Sequence, residues 1–251
     1  MTSSMEMEDP KSRLRRLLGD EGLRSLDSSC VAVIGLGGVG SSCAEALARG
    51  GIGTLILVDK DKVEPSNINR QAIAFMSTVG KRKVDVMRGM VLDINPDARV
   101  ITEDAFVTEE TAAGLFARFP HIDHIVDAID TLTAKVSLAK FANEHDLPIV
   151  SAMGVANRTD PTKLRFADLF ETEGCPFSRE MRKIARSRGV QRLEVLYSKE
   201  RPLKVKPTEG AERREKTELG TYSYMPPIAG QMIAGYVIQA ILSKGTGPYG
   251  E

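Results

Sequence analysis

Apolar and polar positions follow two regimes along this chain, and the change between them falls near Gly154. Before it, the apolar runs at 31–34, 54–59, 99–102, 122–127 and 148–152 read as strands. Helical patterns separate them: 80–92 carries Val84, Met87, Val91 and Leu92 on one side, a stretch capped by Thr108 runs to about residue 119, and 134–144 is a third. Strands alternating with helices predict a mostly parallel, doubly wound, Rossmann-like α/β sheet. In front of it, 11–26 reads as an amphipathic helix interrupted at Gly19.

Beyond Gly154 the alternation stops. Residues 164–166 read as a strand, and Cys175-Pro176 opens a helix with Phe177, Met181, Ile184 and Ala185 on its apolar side. A long loop is expected over 200–218. Pro226-Pro227 precede a last helix at 228–242, where Gly230 and Gly235 permit close approach. The expected organisation is a disordered 1–10, an N-terminal helical segment at 11–29 and a nucleotide-binding core at 30–155. A C-terminal extension of mixed strands and helices at 156–243, continuous with the core, and a tail at 244–251 complete it.

The first strand runs straight into Gly35-x-Gly37-Gly38-x-Gly40-Ser41 and a helix. Gly35 lets the chain leave the strand in a tight turn. Gly37 and Gly38 lack a Cβ, so a phosphate can approach the backbone. Gly40 lets the helix lie close to the sheet, and the helix N-terminus offers unpaired N–H groups. Asp59, at the end of the second strand, stands where a carboxylate can hold ribose hydroxyls.

The residues after the second strand decide which nucleotide binds. Asp61, Asn67, Asn69, Arg70, Gln71 and Lys83 place many donors and two cations there, more than a dinucleotide needs. A triphosphate has more charge to neutralise, which suits a bidentate arginine and a lysine. Asp127 and Asp130 straddle the end of the strand at 122–127, on the sheet edge where ligands collect.

Composition narrows the class. The chain has 251 residues, 42% of them hydrophobic, enough to fill a core, and its formal net charge is zero. No apolar run is expected to reach the length a bilayer requires, so no membrane association is expected, and MTSSMEMEDP is no secretory leader. Three scattered cysteines point to a reducing, cytoplasmic setting. The neutrality is uneven: residues 178–216 hold thirteen Lys/Arg against six Asp/Glu, a local +7. Arg179, Arg182, Lys183 and Arg186 recur at helical spacing there, and Tyr197, Tyr222 and Tyr224 lie nearby. Such asymmetry favours a polyanion, and RNA in particular.

GLGGVGS at 35–41, VDKD at 58–61, SNINRQ at 66–71, the Lys83 segment and DAID at 127–130 resemble the adenylating family of ubiquitin-activating enzymes and bacterial sulfur-carrier activators. The resemblance implies ATP as co-substrate. Asp59 is then the ribose ligand, Arg70 and Lys83 hold the phosphates, and Asp130 organises Mg²⁺. It also implies a homodimer in which an arginine of the N-terminal segment, Arg13 or else Arg16, reaches the other subunit's ATP site. The paired C-x-x-C motifs of the sulfur-carrier activators are missing, so no zinc site of that type is expected.

Further stretches, including TVGKRKVDVM at 78–87, DPTKLRFADL at 160–169, CPFSREMRK at 175–183 and PPIAGQMIAGYVI at 226–238, resemble the bacterial tRNA threonylcarbamoyladenosine dehydratases. That family implies adenylation of the threonyl carboxylate on a tRNA nucleoside beside the anticodon, then ring closure. It also implies a cysteine desulfurase or other sulfur-transfer protein as partner. The alternative is activation of the C-terminal Gly-Gly of a ubiquitin-like sulfur carrier, in which Cys175 at a helix start could form a thioester. A ring closure within one nucleoside needs no such cysteine. His121, His124 and His145 show no ligand-like spacing.

Overall fold

The computed structural model describes residues 9–119, 121–205 and 219–243. Residues 1–8 of the expected disordered 1–10, most of the expected loop at 200–218 and the tail at 244–251 lie outside the described residues.

Strands β1 (Cys30–Ile34), β2 (Thr54–Val58), β3 (Arg99–Glu103), β4 (His124–Asp127) and β5 (Ile149–Ala152) are parallel neighbours in the order β3-β2-β1-β4-β5. Helices cover both faces of the sheet, so β1, β2, β4 and β5 are buried along nearly their whole length. That explains why they read as unbroken apolar runs. The connecting helices are α2 (Gly38–Arg49), α3 (Lys83–Ile94), α4 (Glu109–Phe116) and α5 (Leu132–Glu144). α4 begins where its cap predicts, with the Thr108 hydroxyl accepting from the Thr111 amide at 3.2 Å. The strand order reverses between β1 and β4, and a crevice opens at the carboxyl ends of strands at such a switch point.

The C-terminal part extends this sheet. It adds β6 (Leu164–Asp168), α6 (Pro176–Ser187), β7 (Glu194–Ser198) and α7 (Met225–Leu242). The apolar pattern does not predict β7. It lies parallel to β5 and antiparallel to β6, giving seven strands in the order β3-β2-β1-β4-β5-β7-β6. Tyr197 sits on β7 and is buried in the core, which removes it from the surface tyrosines considered for RNA.

One hydrophobic cluster packs α2, α3 and α7 on one face of the sheet, through residues such as Leu47, Met87 and Ile233. The other packs α4, α5 and α6 on the opposite face, through Phe116, Leu138 and Met181. α7 is long and apolar enough to cross a membrane by length and composition, which corrects the sequence expectation. Its apolar side is occupied by α2: a Cβ at Gly230 would overlap the Val39 carbonyl oxygen. α1 (Ser12–Asp27) breaks at Gly19, whose φ of 66° is a conformation glycine adopts without strain.

Candidate nucleotide site at the switch point

A cavity of about 550 Å³ lies at this switch point, in the size range of small-ligand sites. Its floor is the glycine turn. Gly35 takes φ 90°, and a Cβ there would stand 2.8 Å from the Ala128 carbonyl oxygen. Gly38 is hemmed in by Pro226 and Arg70, and a Cβ on Gly40 would overlap the Gly35 carbonyl. Gly37 caps α2 with no side-chain hydrogen bond, so the first amides of α2 are left for a ligand.

Gly35, Gly37, Gly38, Asp59, Asp61, Asn67, Arg70, Gln71, Lys83 and Asp130 all line this cavity. The Asp59 carboxylate accepts from the Leu36 amide at 2.6 Å and from the Asp61 amide at 2.8 Å, which fixes its orientation between β1 and β2. Lys83 is the first residue of α3. Although it is buried, its Nζ lies 3.1 Å from Asp61 Oδ2 and 4.0 Å from Asp59 Oδ2. Arg70 is pinned by donating to the Ser66 carbonyl at 2.8 Å and to Asn69 Oδ1 at 2.9 Å. Gln71 is buried, and its Oε1 accepts no hydrogen bond among the described residues.

Other expected site residues stand behind the lining. Gly40 and Ser41 shape the turn: the Ser41 hydroxyl donates to the Gly37 carbonyl at 2.7 Å and accepts from the Ala72 amide at 3.1 Å. Asn69 donates to the Thr221 carbonyl at 3.0 Å and so ties the crossing segment to the C-terminal part. Asp127 is completely buried. It accepts from Lys135, from the Ser151 hydroxyl and, at 3.1 Å, from the Ile129 amide. Asp130, three residues on, is exposed to the cavity and accepts from the Thr131 hydroxyl at 3.2 Å.

Sequence reading missed Lys135. It lies on α5, lines the cavity and is as deeply buried as Asp127, 3.0 Å away. Burial lowers its ammonium pKa below the ordinary lysine value, and Asp127 opposes that shift. Phe106, after β3, was missed as well; Lys60 lies 4.5 Å above its ring. No motif marks either residue, since each acts through tertiary neighbours.

The basic helix divides. Arg179, Lys183 and Arg186 are exposed, with Glu180 3.4 Å from Arg179 and 3.1 Å from Lys183, and with Arg186 over the Phe170 ring. Arg182 turns inward and donates to the Thr172 carbonyl at 2.7 Å and to its hydroxyl, closing the short 3-10 turn at Leu169–Glu171. Arg13 and Arg16 are exposed on α1 and do not line the cavity of their own chain. Cys175 is buried at the start of α6, 3.5 Å from Nη2 of the buried Arg158.

The ThiF family model matches residues 11–250. The chain belongs to the ThiF family. It is 40% identical to tRNA threonylcarbamoyladenosine dehydratase of Bacillus subtilis, over 92% of this chain and 94% of that one. The structure superposes on the E. coli tRNA N6-threonylcarbamoyladenosine dehydratase in complex with AMP with a TM-score of 0.84. That match has 29% identity and covers 92% of this chain and 93% of the other. The ATP complex of the same E. coli enzyme gives a TM-score of 0.81. The ThiF family chain thus places its glycine turn, acid and cations in a fold whose solved relatives hold these nucleotides.

Proposed function

We propose that the protein is an ATP-dependent dehydratase that closes a ring on threonylcarbamoyladenosine beside the anticodon of tRNA. The observation that carries this reading is the convergence of Arg70, Lys83 and Asp130 on one cavity with the α2 N-terminus, in a chain matched over 92% of its length by such a dehydratase. ATP is the co-substrate. Asp59 holds the ribose, the α2 amides and Gly38 receive the phosphates, and Arg70 and Lys83 neutralise their charge. Gln71 Oε1 is an acceptor ready for a nucleotide donor.

The donor set fits Mg²⁺. Asp130 offers a carboxylate oxygen that makes no bond among the described residues, and Mg²⁺ is commonly held by one or two carboxylates with phosphates and waters. When bound, Mg²⁺ would screen the triphosphate charge. Asp127 is spent on Lys135 and Ser151 and supports the turn instead.

A threonyl carboxylate oxygen attacks the α-phosphorus of ATP and pyrophosphate leaves. The acyl-adenylate that results has AMP as its leaving group. An atom of the carbamoyl unit on the same nucleoside then attacks the carbonyl carbon and expels AMP, so the modification loses one water overall. The protein orients two anions and neutralises developing charge; it supplies no nucleophile. Arg179, Lys183 and Arg186 form the exposed cationic surface for the tRNA backbone, and Arg182 shapes it from behind. A homodimer with Arg13 or Arg16 reaching the other subunit and a sulfur-transfer partner rest on family resemblance, and a cytoplasmic location on the three scattered cysteines.

The test is AMP and pyrophosphate release from ATP with and without tRNA carrying the modification, with mass analysis of the digested nucleosides. Release that requires the modified tRNA, with one water lost, is expected. Release stimulated by a small protein ending in Gly-Gly, and not by tRNA, would sink this reading.

A further inference from the structure

The segment that lines the cavity at Leu219 and Thr221 continues into a pair of tyrosines that the ATP chemistry does not use. Tyr222 is the next residue along the chain after Thr221. Tyr222 is 52% exposed and Leu219 is 67% exposed, so both apolar surfaces face solvent. Tyr224 stands 5.4 Å from Tyr222 between ring centroids, and its hydroxyl donates to the Thr159 carbonyl at 2.8 Å.

This segment is held rigidly. Asn157, at φ 57°, donates its amide to the Gly220 carbonyl and accepts from the Gly220 amide through Oδ1, both at 2.8 Å. Its carbonyl accepts from the Leu203 amide at 2.7 Å, and Asn69 donates to the Thr221 carbonyl at 3.0 Å. Asn69 also accepts from Arg70, so the segment and the phosphate-side arginine share one hydrogen-bonded frame. An exposed ring on such a frame loses little conformational freedom on binding.

We infer that Tyr222 is a stacking platform for an unpaired nucleobase next to the modified adenosine, a specificity-determining contact outside the ATP site. The occupant is argued from chemistry. Arg201 and Lys204 are exposed on the segment whose Leu203 amide bonds to Asn157, the residue that also holds Gly220, so two cations belong to the same fastened region as the tyrosines. Aromatic faces and cations in one region match single-stranded RNA, whose bases present π-faces and whose backbone is anionic. The inference rests on the tRNA reading proposed for the site.

The experiment uses anticodon stem–loop RNAs that carry the modification, with 2-aminopurine placed 5′ or 3′ of it in separate molecules. Wild type and Tyr222→Trp should change the fluorescence of one of the two probes on binding. Tyr222→Leu should lose that response and raise KM for RNA on the order of tenfold, while KM for ATP and kcat at saturating RNA stay within about twofold. Tyr222→Leu behaving like wild type, with wild type active on the RNA, would overturn the stacking role alone. Wild type inert on the modified RNA would overturn the tRNA reading and the platform together.

Discussion

Lys135 Nζ lies 3.0 Å from Asp127 Oδ2, and both side chains are withdrawn from water beneath the turn that presents Asp130. The ammonium also donates to the Asp127 carbonyl at 3.3 Å and to the Ser151 hydroxyl at 3.0 Å, so its donors are spent inside the protein. Removing one member leaves the other charge buried alone. Lys135→Leu or Asp127→Leu should each cost about 3–5 kcal/mol in urea unfolding. The double variant should cost clearly less than the two singles added. Additive losses would show that the pair is not coupled.

Gly40→Ala places a methyl group where the Gly35 carbonyl oxygen already is. The turn must open, and Gly35 sits against Ala128, so the disturbance reaches the cavity floor. ATP affinity measured by calorimetry should fall at least about tenfold, or 1.4 kcal/mol. Gly89→Ala, on α3 and outside the cavity lining, meets nothing within 4 Å and should be far milder. Equal losses at the two positions would contradict a steric role for Gly40.

His124 is buried against Tyr236, and burial lowers its pKa to about 4. Unfolded, it takes its proton near 6.5. Between these values the unfolded chain binds more protons, so stability falls as pH drops from 6.5 towards 4, by about 3 kcal/mol from this group. Below the folded value no further loss comes from it. His124→Leu should flatten that part of the stability profile, and an unchanged acid slope in urea titrations at several pH values would disprove the assignment.

Burial and the neighbouring Asp123 push the Cys30 thiol up to about 11, and burial raises Cys43 further still. Iodoacetamide should therefore label neither appreciably in the folded protein at pH 7.5. As pH rises towards 11, Cys30 should react before Cys43, and in denaturant both should label readily. Peptide mass analysis reads the order directly; Cys43 labelling first would refute it.

The nucleotide half was legible because its local signals and its tertiary demands agree. β1, β2, β4 and β5 are apolar on both sides because helices cover both faces, and the glycine turn is a constraint written in residue type. β7 was hidden by composition: it lies in a strongly basic stretch, and its five residues become a strand by pairing with β5 and β6. Lys135 could not be found from spacing, since a lysine on a helix ordinarily faces water and only Asp127 and Ser151 make its burial tolerable. Arg182 shows the reverse: helical periodicity put it with Arg179 and Lys183, but a long flexible side chain can fold back to cap nearby carbonyls.

The packing of α7 on α2 makes the glycine turn depend on a helix far from it along the chain. The glycine turn lies early in the chain, yet Pro226 braces Gly38 and Gly230 sits against Val39, and both belong to α7. A nascent chain lacking that helix holds every motif of the nucleotide pocket with its supporting wall still unmade. The wall that supports the glycine turn is therefore complete only once α7 has docked on α2, however early the turn itself has formed.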